Sequence, residues 1–481
     1  MRRPLALALS TLALAGCMVG PDYHRPRVEA PPLLPHQLAG AATGDESRWW
    51  QRFADPVLDG LVAEALAHNK TVKIAAANVD QATAVLTQVR SPLFPQASAG
   101  ASGTRQRGSE RGAVPIPPTV PNPQTSYQLL AGASWEIDLW GRVRRLSEAA
   151  RADLLATEEA RRGVILSLVG AVANTYLQLR GLDEQLLIAQ RSREAYAASV
   201  KLFELKFAHG MASGLNVAAA RIQAETAAAA VPQIESQVAQ TENALSILLG
   251  RDPGAIPRGR SIRELALPAV PAGMPSELLE RRPDIRQAEQ NLIAMNARIG
   301  AAKARYFPSI SLTGALGQAS AELSHLFEGP ARVWSFAGSL TAPLFTAGAI
   351  SGQVRQAEAA RTAALLGYQA AIQSAFADVD NALVAREKLA EQLSAQERLV
   401  QASAEFARLA QLQFDGGVAP YTTVLQAQQQ LFPTELADAQ LRALLLASSV
   451  NLYKAMGGGW LADAEAMTQA SPPVGGAPPR Q

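Results

Sequence analysis

The sequence of 481 residues has room for two or three ordinary domains or one elongated body. A formal net charge of +2 gives no electrostatic footprint for nucleic acid. No run of about 18 apolar residues follows the N-terminus, which excludes a helical membrane span but leaves room for transmembrane strands of about 9–11 residues.

The N-terminus carries Arg2 and Arg3, an apolar stretch over 4–15, and "LAGC" at 14–17. This is the layout of a secretory signal, and it resembles a bacterial lipobox. Residues 1–16 are expected to be the signal, cut before Cys17, whose thiol then carries lipid (palmitate among its acyl chains). The alternative is an ordinary signal with a free cysteine nearby. Cys17 is the single cysteine, so no internal disulfide is possible. In bacterial lipoproteins an Asp after the cysteine favours retention in the inner membrane; Met18 points to the outer one. Residues 17–56, rich in Pro, Ala and Gly over 18–47, are predicted to form an extended tether.

Two similar halves follow, over 57–260 and 261–460. Phe207 and Phe414, Gly210 and Gly417, Val217 and Val424, and Gly250 and Gly457 all recur at an offset of 207. "LFPQASAG" and "YFPSISLTG" match at a slightly different offset. An internal duplication is implied, each half running helix, strand, loop, strand, very long helix, glycine turn, helix. Residues 461–481, ending "SPPVGGAPPRQ", are predicted to be a disordered tail.

In the first half, helices are predicted over 57–68, 70–91, 141–207 and 214–249. The third contains no proline, and at 1.5 Å per residue it is roughly 100 Å long. Heptad series run through Thr175, Leu182, Ala189, Tyr196 and Phe203, and through Leu179, Leu186, Arg193, Val200 and Phe207, the pattern of a coiled-coil seam. The second half repeats this with helices over 284–306, 349–414 and 421–456. Strands are predicted over 95–106, 126–139, 308–318 and 334–345. In 126–139, Tyr127, Leu129, Trp135 and Ile137 share one face, and Gln128, Ser134, Glu136 and Asp138 the other. Such alternation fits a barrel strand with a lipid face and a lumen face; it also fits a half-buried soluble sheet. Four strands cannot close a barrel, so closure needs several chains.

"LAGCMVGPDYHRP" (14–26), "SWEIDLWGRVRRLSEAA" (134–150), "ELLERRPDIRQAE" (277–289), "YFPSISLTG" (306–314) and "PLFTAGAI" (343–350) together resemble the TolC-like outer-membrane factors. The likeness is to their lipoprotein branch, which serves multidrug efflux pumps. The resemblance implies a mainly α fold with a membrane β-barrel. It implies a homotrimer whose twelve strands form one barrel in outer-membrane lipid and whose helical rods form a periplasmic tunnel. It further implies an exit duct that works with a periplasmic adaptor and a proton-driven inner-membrane pump. No cofactor is expected apart from the lipid on Cys17.

By the same resemblance, the hairpin tips touch the adaptor. They map to Gly210, Met211, Ala212, Ser213, Gly214 and Leu215, and to Gly417, Val418, Ala419 and Pro420. A periplasmic gate maps to Asn216, Phe414, Thr423 and Gln426, where many relatives carry acids and an aromatic hydroxyl. A gate of neutral groups would close by hydrogen bonds of about 0.5–1.5 kcal/mol each rather than by cation binding. Glu136 and Asp138 are expected in the barrel lumen, Trp135 and Trp140 against lipid or its interface, and Gly141 and Gly348 as strand-to-helix hinges. The bland readings are a plain helix-terminating turn for the tips and simple wetting for the acids. The rival functions are a protein-secretion duct and a non-conducting coiled-coil lipoprotein. The five scattered histidines and the absence of nucleophile, phosphate-loop or metal spacing argue against an enzyme.

Overall fold

The computed structural model describes residues 18–27, 48–112, 116–117, 119–269, 275–457 and 461–469. The expected signal and Cys17 lie outside them. In chain order the elements are α1 (Pro56–His68), α2 (Lys70–Arg90), β1 (Gln96–Gln106), β2 (Gln124–Ile137), α3 (Arg142–Ala208), α4 (Gly214–Leu249), α5 (Pro275–Arg281), α6 (Pro283–Ala304), β3 (Ser309–Ser320), β4 (Arg332–Thr341), α7 (Ala349–Asp415), α8 (Tyr421–Ala455) and α9 (Leu461–Gln469). The duplication is kept closely: α3 and α7 are each 67 residues long, and both start one residue after a glycine.

The described residues fall into two compact units. One, the strand unit, lies within Met1–Arg27, Val79–Thr157 and Ala288–Tyr368. Its sheet is antiparallel in the order β1-β2-β3-β4, so the two halves of the chain meet at the β2–β3 pairing. The register places Trp135 beside Leu312 and Gly338, Ile137 beside Ile310 and Leu340, and Ala133 beside Gly314 and Phe336. On the opposite face Glu136 lies beside Ser311 and Ser339, whose hydroxyls are hydrogen-bonded. Pairing thus sorts apolar from polar residues, as a period of two requires. The apolar face is bare: Trp334 is 71% exposed and Phe336 76%.

The other, the hairpin unit, lies within Val28–Asn78, Glu158–Gln287 and Gln369–Gln481. Its main core packs α1 against α3, α4, α8 and α9. Tyr176 donates to Asp55, which also caps α1 by accepting the Val57 amide. Two further apolar clusters run along the hairpins. Leu182, Ala189 and Tyr196 meet Ile234 and Phe432; nearer the tips, Phe203 meets Val217 and Tyr421. The first heptad series is therefore the seam. The second departs from it at the tip, where Phe207 is exposed.

Two boundaries need correction. The tether predicted over 17–56 ends in a 3-10 turn, Trp49–Phe53, whose Trp49, Trp50 and Phe53 are buried, with Trp49 stacked on Tyr453 at 5.3 Å. Burying an aromatic ring of this size contributes about 1.5–3 kcal/mol, too much for a loose linker to forgo. At its other end, residues 18–27 are strapped to the strand unit. Val19 donates its amide to Trp140, Asn296 donates to the Pro21 carbonyl, and buried Arg145 reaches Val19, Gly20 and Asp22. Residues 28–47 lie outside the described residues. The tail predicted from 461 begins instead with α9, which buries Leu461 and Ala464 in the main core. Residues 470–481 lie outside the described residues.

A buried cation joins three helices of the hairpin unit. Arg282, between α5 and α6, donates to the Ala455 carbonyl at the C-terminus of α8, where positive charge complements the helix dipole. It also pairs with Asp284 at 2.7 Å and with Asp378 of α7 at 2.9 Å. Burial alone would raise the Asp284 carboxyl, but the hydrogen bonds and charge of Arg282 outweigh it and hold the group below its usual value. A depressed carboxyl stabilises the fold above its unfolded value of about 4, and that stability is lost as pH falls through the folded value. The unfolding temperature should therefore fall as the pH is taken below about 4. Arg282→Met should cost about 1.5–3 kcal/mol at neutral pH, the loss of charge-assisted hydrogen bonds whose acid partners stay half exposed, and flatten that acid limb, both read by calorimetry; an unchanged limb would remove Asp284 from its cause.

Candidate functional site at the strand-helix junction and hairpin tips

In the strand unit, β2 stops at Ile137, one residue before the second acid. The strand predicted to 139 is cut short because Asp138 serves the next element. Its carboxylate accepts the amides of Val143 at 3.0 Å and Arg144 at 2.9 Å, the unpaired donors of the first turn of α3. Asp138 is thus a helix cap, and strand alternation does not assign it a face. Glu136 remains in β2 and binds Arg142 through both oxygens. Between the acids and the helix, Gly141 has φ +76°, and a Cβ there would sit 2.8 Å from Met18. Gly348 has φ +85° before α7. The fourth strand, predicted to 345, stops at Thr341, ahead of Pro343, which has no amide to donate. The second half keeps the left-handed glycine and has no acid cap.

The two tryptophans of the junction are held by protein. Trp140 stacks on Phe307 at 4.5 Å and donates its indole N–H to Pro308, while Trp135 donates to Leu93. These partners fix the junction, a role the alternation pattern does not reveal.

In the hairpin unit, both tips end their long helix in the same way. The Gly210 amide donates to Phe207 and the Met211 amide to Lys206; the Gly417 amide donates to Phe414 and the Val418 amide to Gln413. These are Schellman closures around a left-handed glycine. Ser213 caps α4 by accepting the Asn216 amide, and Pro420 precedes α8. Met211, Leu215 and Val418 stand 69%, 74% and 82% exposed, so the tips are apolar and bare.

The expected gate residues divide. Asn216 and Thr423 are placed in the first turns of α4 and α8, Thr423 half-buried and Asn216 at the capped end, and Gln426 is exposed. No hydrogen bond among the described residues joins the three. Phe414 belongs instead to an aromatic cluster with Phe203 of α3 and Tyr421 of α8. Its ring centroid lies 5.9 and 5.3 Å from theirs, and those two are 3.8 Å apart. Lys206 lies over two of these rings. Sequence reasoning misses Lys206 and Tyr421; the signal for Lys206 is its place three residues after Phe203, on the same helix face. Burial raises the Tyr421 hydroxyl above its usual value, so it stays neutral. Farther along the seam, burial and then the charge of Glu435 push Tyr196 up to about 12.

A doubled unit of strand pair and long helical hairpin, with a bare apolar sheet face and open sheet edges, defines a class of channel-type membrane proteins. A family model described as outer membrane efflux protein matches residues 61–251 and 274–458. The chain belongs to the outer membrane efflux protein family. It is 38% identical over 469 residues to the toluene efflux pump outer membrane protein TtgC of Pseudomonas putida, covering 95% of each chain. It is 34% identical over 457 residues to the cation efflux system protein CusC of Escherichia coli, covering 93% of this chain and 97% of that one. Among solved structures, the open state of the MtrE outer membrane channel of Neisseria gonorrhoeae matches with a TM-score of 0.82 and 34% identity, over 92% of this chain and 99% of that one.

The tip glycines give a direct test. Gly417→Ala should lower stability by about 1–2 kcal/mol, the cost of a left-handed alanine. Amide exchange should rise at 417 and 418 while the β2–β3 ladder keeps its protection; equal loss in both places would show that the turn is not a local closure.

Proposed function

We propose that three copies of this chain form the outer-membrane exit duct of a tripartite efflux pump. The duct passively conducts small toxic compounds or drugs from a periplasmic adaptor and a proton-driven inner-membrane pump to the exterior. The observation that carries this is the open sheet. β1 and β4 each pair on one side only, and the face bearing Trp334, Phe336 and Leu340 is uncovered. Hydrocarbon tolerates an apolar face but not unpaired backbone N–H and C=O groups. Four strands are too few to close, since the smallest bacterial barrels use eight. Three copies joined β4 to β1 would pair every edge in a twelve-strand barrel.

The family supplies the direction of transport; the relatives' own names speak of toluene and of cations, and cargo choice is left to the pump. Cys17 carries the lipid that holds the trimer at the membrane, with more than one acyl chain needed for firm anchoring. Met211, Leu215, Val418 and their neighbours on the bare tips meet the adaptor.

The gate reading adds a specific expectation. Asp415 is the carboxylate closest in sequence to the second tip, and Gln411 already donates to it. No group of three metal-type ligands occurs among the described residues. The full-length acylated protein should migrate as a heat-modifiable trimer and conduct ions in planar bilayers, with conductance little changed by millimolar calcium at the periplasmic side. A trimer that never conducts would favour a structural lipoprotein over a duct. Strong calcium block would instead overturn the neutral gate and leave the duct standing.

A further inference from the structure

The two hairpins of one chain are tied by polar contacts only part of the way to their tips. Asn174 donates to Asn451, Arg191 pairs with Glu435, and the Tyr196 hydroxyl donates to the Gln428 carbonyl. Beyond Tyr196, no ion pair among the described residues crosses between the hairpins, and the Tyr421 hydroxyl facing Ser199 is the polar group that bridges them. The Arg221–Glu204 and Arg408–Glu405 pairs each stay within one hairpin. What crosses there is the apolar cluster around Phe203 and Tyr421, with one cation set into it.

The Lys206 ammonium lies 5.0 Å from the centroid of the Phe414 ring and 5.5 Å from that of Phe203. Phe203 is on α3 and is 2% exposed; Phe414 is on α7, in the other hairpin. No carboxylate among the described residues pairs with Lys206, so the ring faces are its electrostatic partners. A cation over an aromatic face is attracted by the ring quadrupole, more strongly where water is excluded, as beside a buried Phe203. The duplication shows that this contact is not a by-product of symmetry. The counterpart of Phe414 is Phe207, which is 55% exposed, and the counterpart of Lys206 is Gln413, which cannot supply the charge.

From this geometry we infer that Lys206 and Phe414, seated on Phe203, form the latch that holds the second hairpin tip against the first in the closed duct. The inference rests on the duct reading above. Parting the tips strips the ammonium of the Phe414 face, leaving it only Phe203 of its own helix, and exposes the Phe203–Tyr421 stack to water. The closed state is therefore favoured until a partner binding the open tips outweighs that loss. A latch of this kind needs no acid at Asn216, Thr423 or Gln426.

The test uses the full-length acylated protein, in single-channel recording and in hydrogen exchange at the Gly417 and Val418 amides. Lys206→Met keeps the aliphatic stem and removes the charge; Phe414→Leu keeps an apolar side chain and removes the ring. Each should raise the open probability by about tenfold, a size within reach of a desolvated cation–π contact. The double variant should open little further than either single one, because both remove the same contact. Lys206→Arg should restore closure, since guanidinium also stacks on rings. Exchange at the two amides should quicken in Lys206→Met and return towards wild type in Lys206→Arg. A conducting wild type with Lys206→Met unchanged in both readouts overturns the latch, as do single effects that multiply in the double variant. A wild type that never conducts overturns the duct; the exchange experiment then still decides whether Lys206 ties the tips.

Discussion

A sheet that ends in open edges cannot rest alone in hydrocarbon, and this constraint governs the strand unit. β1 and β4 each present a row of unpaired backbone groups, while the face they share with β2 and β3 is sorted into apolar and polar sides by the register. Both edges demand a partner strand, which in the proposed duct the other copies of the chain supply. A charge within the apolar face would be costly: Leu312, Leu316, Trp334, Phe336 and Leu340 form it with β2, and the register brings charges onto that face only at strand ends, Arg105 of β1 and Arg332 of β4. Glu136, on the other face, meets Arg142 rather than lipid.

The duplicated chain kept its turns and let its side chains diverge. Gly141 and Gly348, Gly210 and Gly417, and Gly250 and Gly457 all have positive φ and share one offset. They set where α3 and α7 begin and where each hairpin ends, so neither half can change them without changing its path. Side chains around these points are freer. The acid cap that starts α3, Asp138, is matched by no acid before α7. At the tips Phe207 stands in solvent, and its counterpart Phe414 closes the seam. The repeat thus supplies an architecture twice, while junction and latch are each made once.

Much of this was legible in the residues. Period-two alternation located three of the strands, β1 with its run of small residues being the faintest, and the absence of proline from 141 to 207 marked the long helix. The recurrence of Gly210 at Gly417 gave both tips, because a glycine at a left-handed turn leaves a sequence mark independent of its neighbours. What could not be read was set by contacts far apart in the chain. Trp49, Trp50 and Phe53 fall at the end of the predicted tether, yet all three enter the main core, where Trp49 stacks on Tyr453 some four hundred residues away. The strap at 18–27 depends on Arg145 and Asn296 finding backbone carbonyls, which no pattern within 18–27 announces. Asp138 obeyed the strand alternation and was claimed by the helix beyond it. Lys206 resembled any solvated lysine until Phe414 was placed beside it.

The distribution of polar ties also separates the part of the hairpin unit that is fixed from the part free to move. The segment between the halves carries Arg258 to Asp183 and Glu242, and Arg263 to Glu184 and Asp438. Asp438 in turn binds Arg442, which reaches Glu397 of α7. Two sets of charges, both anchored on the linking segment, therefore tie α3 to α4 and α3 to α7 and α8. Asp438 is almost fully buried, so breaking the second set leaves a charge without water or partner, a cost of several kcal/mol. Beyond Tyr196 nothing of that kind crosses the seam among the described residues; apolar packing and a single cation hold it. Opening the tips thus exposes rings and rehydrates one ammonium, whereas opening the band would strand ions. Local stability falls towards the tips, so a partner acting there can open the hairpins without disturbing the band that holds their other ends.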